Sequence, residues 1–139
     1  MAIFLNNGVG LKIATIDLSD HVSSLTINRQ FDELEVTAMG DTGHKFVKGL
    51  ESSTITVDFF NDDAAANVLA TLQAAWGTSV AFSIIQTKGT AVSAANPTYS
   101  GLILVNKTTD IAGSVAEIGK QSITFTVNGA ITVSPTIAF

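Results

Sequence analysis

Two stretches of the chain alternate apolar and polar residues with a period of two. In residues 53–59, Ile55, Val57 and Phe59 share one side and Thr54, Thr56 and Asp58 the other. In residues 121–127, Ile123, Phe125 and Val127 oppose Ser122, Thr124 and Thr126. Such alternation predicts antiparallel strands with one face on a core and one toward water. Asn128-Gly129 follows, then the strand-like Ala130-Ile131-Thr132-Val133; Asn-Gly between two strand patterns predicts a hairpin, because both residues accept a positive φ. Less regular β patterns cover residues 11–17, 22–29, 34–38, 80–86 and 99–107. One segment has helical spacing instead. Asn61-Asp62-Asp63 supplies an N-cap with acids at the positive end of the helix dipole, and Ala65, Val68, Leu69, Leu72 and Trp76 then recur along one stripe. Gly77 stands where a C-terminal cap belongs. The whole pattern predicts one domain, residues 1–139, mainly β: two packed antiparallel sheets, a β-sandwich or barrel, flanked by one α-helix.

Two stretches carry turn chemistry without clear periodicity. Residues 89–97 are small and polar, and residues 40–50 hold Gly40, Gly43 and Gly49 between two strand patterns. The second is long for a hairpin loop, and unstructured loops above about 12 residues are usually functional. Both ends of the chain are apolar: Ile3-Phe4-Leu5 at the front and Ile137-Ala138-Phe139 at the back. Chain ends fray unless something ties them down, so these either complete edge strands of the domain or reach a neighbouring subunit.

Composition adds a constraint that periodicity does not. Hydrophobic residues make up 46% of the chain and charged residues only 14%, against roughly 25% charged in an ordinary globular domain. No apolar run approaches the ~20 residues of a membrane-spanning helix, and the first residues lack the basic and long apolar regions of a secretion signal. Neither a membrane role nor export is expected, so a folded chain this short of charge is expected to turn much of its surface toward other protein. The net charge of −5 and the scattered bases, of which only Lys45 and Lys48 lie close together, argue against a grip on nucleic acid.

The search for chemistry returns little. The absence of cysteine excludes disulfides and thiolate sites. His21 and His44 lack metal-ligand spacing, so surface histidines are expected and no metal or other cofactor is. Gly8-Val9-Gly10 lacks the third glycine of a phosphate loop, and no Gly-x-Ser-x-Gly elbow occurs. Asp32, Glu33 and Glu35 suit a solvated corner better than a paired-carboxylate active site. Enzyme is therefore the weak reading.

The order of pieces in the middle of the chain is more telling. Val22-Ser23-Ser24-Leu25-Thr26-Ile27 is followed by the acidic 32–42 segment ending in Thr37-Ala38-Met39-Gly40-Asp41-Thr42, then by Lys45-Phe46-Val47-Lys48-Gly49-Leu50, then by Ser53-Thr54-Ile55-Thr56-Val57 and the Asn61-Asp62 helix start. This order resembles the major tail tube proteins of long, flexible-tailed bacteriophages. The Thr-rich end through Asn128-Gly129-Ala130-Ile131-Thr132-Val133 is similar to that family's closing strands. The resemblance covers roughly two-thirds of the chain; Lys48 departs from it, standing where proline is expected in many relatives.

The resemblance implies a structural virion protein, made in the bacterial host cytoplasm, that assembles as hexameric rings stacked into a tail tube through which genome DNA is ejected without specific binding. It also implies tape-measure, tail terminator and baseplate proteins as partners, and no covalent chemistry. Gly40, Asp41, Thr42, His44, Phe46, Val47, Gly49 and Leu50 become the expected inter-subunit contact loop, with Phe46, Val47 and Leu50 as apolar anchors. Phe4, Ile137 and Phe139 become candidate terminal-arm contacts, and Asp58, then Glu33 and Glu35, the acids expected to line the lumen. Two alternatives share most of these features: a tube or ring subunit of a contractile or secretion apparatus, and a virion decoration or adhesion domain that does not polymerise.

Overall fold

The computed structural model describes residues 8–61, 68–109, 111 and 113–139. Along the chain run β1 (Gly10–Ile13), β2 (Ile16–Asp17), β3 (Val22–Asn28), β4 (Phe31–Glu35), β5 (Phe46–Glu51), β6 (Thr54–Phe60), α1 (Val68–Ala74), β7 (Ser79–Ile85), β8 (Thr98–Leu104), β9 (Lys120–Val127) and β10 (Thr132–Ser134), with a short 3-10 turn at Ser19–His21. The fold is mainly β, with two antiparallel sheets and one helix. The larger sheet has the order β2-β1-β7-β8-β9-β6-β3, with β10 added beside β8; the smaller is the pair β4-β5.

The two strands with the cleanest alternation sit side by side. β6 and β9 pair along their whole length, from Thr54↔Thr126 to Phe60↔Lys120, and turn Ile55, Val57, Phe59, Ile123, Phe125 and Val127 inward. β1, β7 and β8 contribute Leu11, Ile13, Phe82, Ile84 and Ile103 to the same core cluster. One large sheet therefore curls so that its two wings share a single core, as facing sheets of a sandwich do. The bend lies at β8. Its C-terminal end pairs with β9 through Ile103↔Val127 and Leu104↔Thr126, while its N-terminal end pairs with β10 through Thr98↔Ser134 to Ser100↔Thr132.

That arrangement corrects the hairpin expected at Asn128-Gly129. β9 and β10 do not pair with each other; they run in the same direction along one edge of β8, with residues 128–131 bulging between them. Asn128 N–H still donates to Leu102 O at 2.7 Å. An Asn-Gly pair that accepts a positive φ serves a bulge as readily as a turn, and a bulge lets a strand change partners. The single strand expected over 11–17 is likewise two, joined by a tight turn in which Ala14 and Thr15 both take positive φ, 52° and 69°. Neither is a residue that announces such a turn.

The helix start expected at Asn61-Asp62-Asp63, with Ala65, lies largely outside the described residues. From Val68 onward the stripe is narrower than its spacing suggests. Val68, Thr71, Leu72 and Ala75 are buried, whereas Trp76, expected on the same face, is 55% exposed. The reason is that α1 ends at Ala74, so Trp76 no longer follows the helical period. Gly77 then takes φ +73° and donates its N–H to Val105 O at 2.9 Å, tying the helix end to the segment after β8. The 89–97 loop is held from inside by Asn96. Its amide donates to Thr87 O and Thr90 O, and its carbonyl accepts from Thr87 N–H.

Candidate functional site

Three surfaces stand out: an arm, a polar wall and a distal loop. The arm is β4-β5, the far half of one long hairpin whose near half is β3-β6. The ladder runs through Asn28↔Thr54, Ser52 N–H to Gln30 O at 2.7 Å, and Phe31↔Glu51. Every residue of β4 is exposed. Residues 46–50, expected as loop, are therefore mostly strand; the turn chemistry is confined to the arm's tip, and Gly49 serves the ladder. A side chain at Gly49 would bring its Cβ to 2.8 Å from Asp32 O, so glycine is what lets β4 and β5 close where their register slips between Phe31 and Glu33.

Pairing of Leu34 with Val47, and of Glu33 and Glu35 with Lys48 and Phe46, gives the arm two unlike faces. One carries Leu34 and Val47, continued by the parity of Val36. The other carries Glu33, Glu35, Phe46 and Lys48, with the Lys48 ammonium 5.5 Å from the centre of the Phe31 ring. The tip is organised rather than loose. Asp41 accepts from Ala38 N–H at 2.8 Å and meets Lys45 Nζ at 2.8 Å; these contacts hold its carboxyl below the ordinary value, the lysine first and the amide second. Thr37 Oγ donates to Glu35 at 3.0 Å and accepts from Lys45 N–H at 2.9 Å, and His44 Nδ1 lies 2.7 Å from Glu35 Oε1. At the root, Glu51 meets Arg29 at 3.7 Å and accepts from Ile131 N–H at 2.9 Å, fixing the arm to the bulge after β9.

The wall is the outer face of β3-β6-β9. Its rows read Asn28-Thr54-Thr126, Thr26-Thr56-Thr124 and Ser24-Asp58-Ser122, with Thr56 and Thr124 hydroxyls 3.1 Å apart. Asp58 is the sole charge in these rows. Glu33 and Glu35, grouped with Asp58 in the sequence reading, stand on the arm instead, so the three acids do not share one sheet. Beside the wall, β3 pairs with β6 on one side and has no partner strand on the other among the described residues. Beneath that free edge is an open cleft of about 400 Å³, lined by Leu25 and Ile27 of β3 with Val9, Ile84 and Tyr99.

The distal loop, residues 105–119, drew no expectation from the sequence. Ile111 and Val115 are almost fully exposed and Ile118 largely so. The signal was there: three β-branched residues without period among glycine, serine and alanine. Of the terminal candidates, Phe4 lies outside the described residues. Phe139 packs its ring against Gly10 and Ile85, under the Lys12 ammonium 4.6 Å away, and Ile137 O accepts from the buried Thr98 hydroxyl at 2.9 Å.

No family model and no curated protein matches this chain. Solved structures do. A chain from the virion of a native gene transfer agent particle superposes with a TM-score of 0.74 at 14% identity, covering 95% of this chain and 99% of that one. The fold is shared with a virion chain. A second, from the tail of an empty gene transfer agent particle refined helically with C6 symmetry, gives a TM-score of 0.60 at 18% identity and covers 82% of each chain.

Proposed function

We propose that this chain is a structural subunit of a phage or phage-like tail tube: copies join sheet edge to sheet edge into six-membered rings, the rings stack, and genome DNA passes down the bore. The observation that carries this reading is the arm. A chain with a full apolar core nevertheless exposes a two-stranded ladder bearing Leu34, Val47 and Leu50, and exposed contiguous apolar surface marks a protein contact. The free edge of β3, with its half-buried Leu25 and Ile27 over an open cleft, supplies a second contact of the kind that a neighbouring strand would complete. The shared fold with a virion chain, and with a chain of a tail solved with C6 symmetry, supports the same assembly.

The bore is assigned to the hydroxyl wall. Counterion release by lysine and arginine is what holds nucleic acid, and the wall's rows offer neither. Asp58, repeated around a ring, gives weak repulsion focused by the channel; Glu33 and Glu35 carry the same sign of charge along the arm. No catalytic role is assigned. The tape-measure, terminator and baseplate proteins of such a tail are the expected partners at its axis and ends. Electron microscopy of the purified protein at several concentrations, with light scattering, tests the assembly. Rings with six-fold symmetry, passing into tubes as concentration rises, are expected. A chain that stays monomeric at the highest concentration overturns the proposal.

A further inference from the structure

The arm and the distal loop lie at opposite ends of the same two strands. β6 leaves the arm at Thr54 and reaches Phe60; β9 starts beside Phe60, at Lys120, and returns to Thr126 opposite Thr54. Asn61 N–H donates to Gly119 O at 2.9 Å, so the distal loop is fastened at the Phe60 end. Seven residues of strand separate the two ends by roughly 20 Å. One end carries Leu34, Val36 and Val47 with Met39 fully exposed at the tip; the other carries Ile111, Val115 and Ile118.

We infer that the arm of one copy docks on the distal loop of the next copy along the tube axis, with Val47 and Met39 meeting Val115 and Ile118. This rests on the tail-tube reading and names the surface that receives the arm. Three observations select a second copy as the occupant. The patches are unlike each other, so they do not suit a two-fold pair in which one patch faces itself. They sit at opposite poles, so joining one to the other repeats the same displacement from copy to copy and produces an open stack. The arm, residues 31–51, is also of the size that one side of a standard interface takes, roughly 20–30 residues.

The chain contains no cysteine, which makes disulfide trapping clean. Two double variants are prepared, Val47→Cys with Val115→Cys and Met39→Cys with Ile118→Cys, all at exposed positions. Bridged cysteines need Cα atoms within about 7 Å, so opposite poles of one copy cannot be joined. Assembled protein is oxidised and run on a denaturing, non-reducing gel, and electron microscopy of the same sample scores tubes. A covalent ladder extending past six subunits, from at least one pair, is expected. Tubes with a ladder that stops at six place the contact around the ring and overturn the inference. Tubes with no ladder from either pair also overturn it while leaving the tail-tube reading in place. Failure of the unmodified chain to form rings or tubes overturns that reading, and this inference with it.

Discussion

Asp17 and Lys88 join the end of the β1-β2 hairpin to the loop after β7 through a contact of 2.7 Å. Partial burial pushes the Asp17 carboxyl up, but the Lys88 ammonium and the hydroxyl and N–H of Ser19 outweigh it and hold it at about 2, below its ordinary 3.8. A carboxylate whose folded value is depressed contributes stability above the unfolded value and loses it as pH falls through the folded one. Melting temperature measured against pH should therefore show the advantage of the native chain over Asp17→Asn in full near neutrality. That advantage should shrink between about pH 4 and pH 2 and be absent below, where both side chains are neutral. An undiminished difference at pH 2 would mean that the asparagine acts through packing instead. A few ångströms away in sequence, Lys12 holds the last residue by both its ring and its main-chain oxygen. Apolar chain ends can thus be tied down by a single cation within their own domain.

At the scale of elements, the arm separates residues that hold the fold from residues that face outward. Val47 lies on an exposed strand, so Val47→Asp should change chemical-denaturation stability by no more than about 0.5 kcal/mol, the usual range for a surface site. The same variant should lose assembly, read by sedimentation velocity on the purified protein. A large loss of stability would place Val47 in the fold instead. Strands with strict alternation, β6 and β9, were legible from sequence because each position has only one of two environments. The arm was legible as an interface but not as a strand, because both of its faces meet solvent in the single chain and no polar-apolar rhythm marks them. Asn128-Gly129 was legible as a place of positive φ, yet whether such a place reverses the chain or merely offsets it depends on the strand opposite, here β8, nearly thirty residues away. Trp76 misled for a related reason: helical spacing does not reveal where the helix stops.

For the whole molecule, the shortage of charge is distributed unevenly. The three rows of the wall hold a single carboxylate, while the arm from Phe31 to Glu51 gathers acids and bases around an apolar face. Asp58→Lys would replace repulsion by attraction once per subunit around the bore. DNA release from assembled particles should then slow at low salt and recover as salt rises, since each new phosphate contact is lost to counterion competition. Release unchanged at both salt concentrations would remove the wall from the bore. The long hairpin has one more consequence. Because β3-β6 and β4-β5 share a ladder but serve separate surfaces, residues can be added or removed at the arm's tip without shifting any pair in the wall. Channel width and axial repeat would then be independent variables of one polypeptide, the first written in the register of β3, β6 and β9 and the second in the reach of a single hairpin.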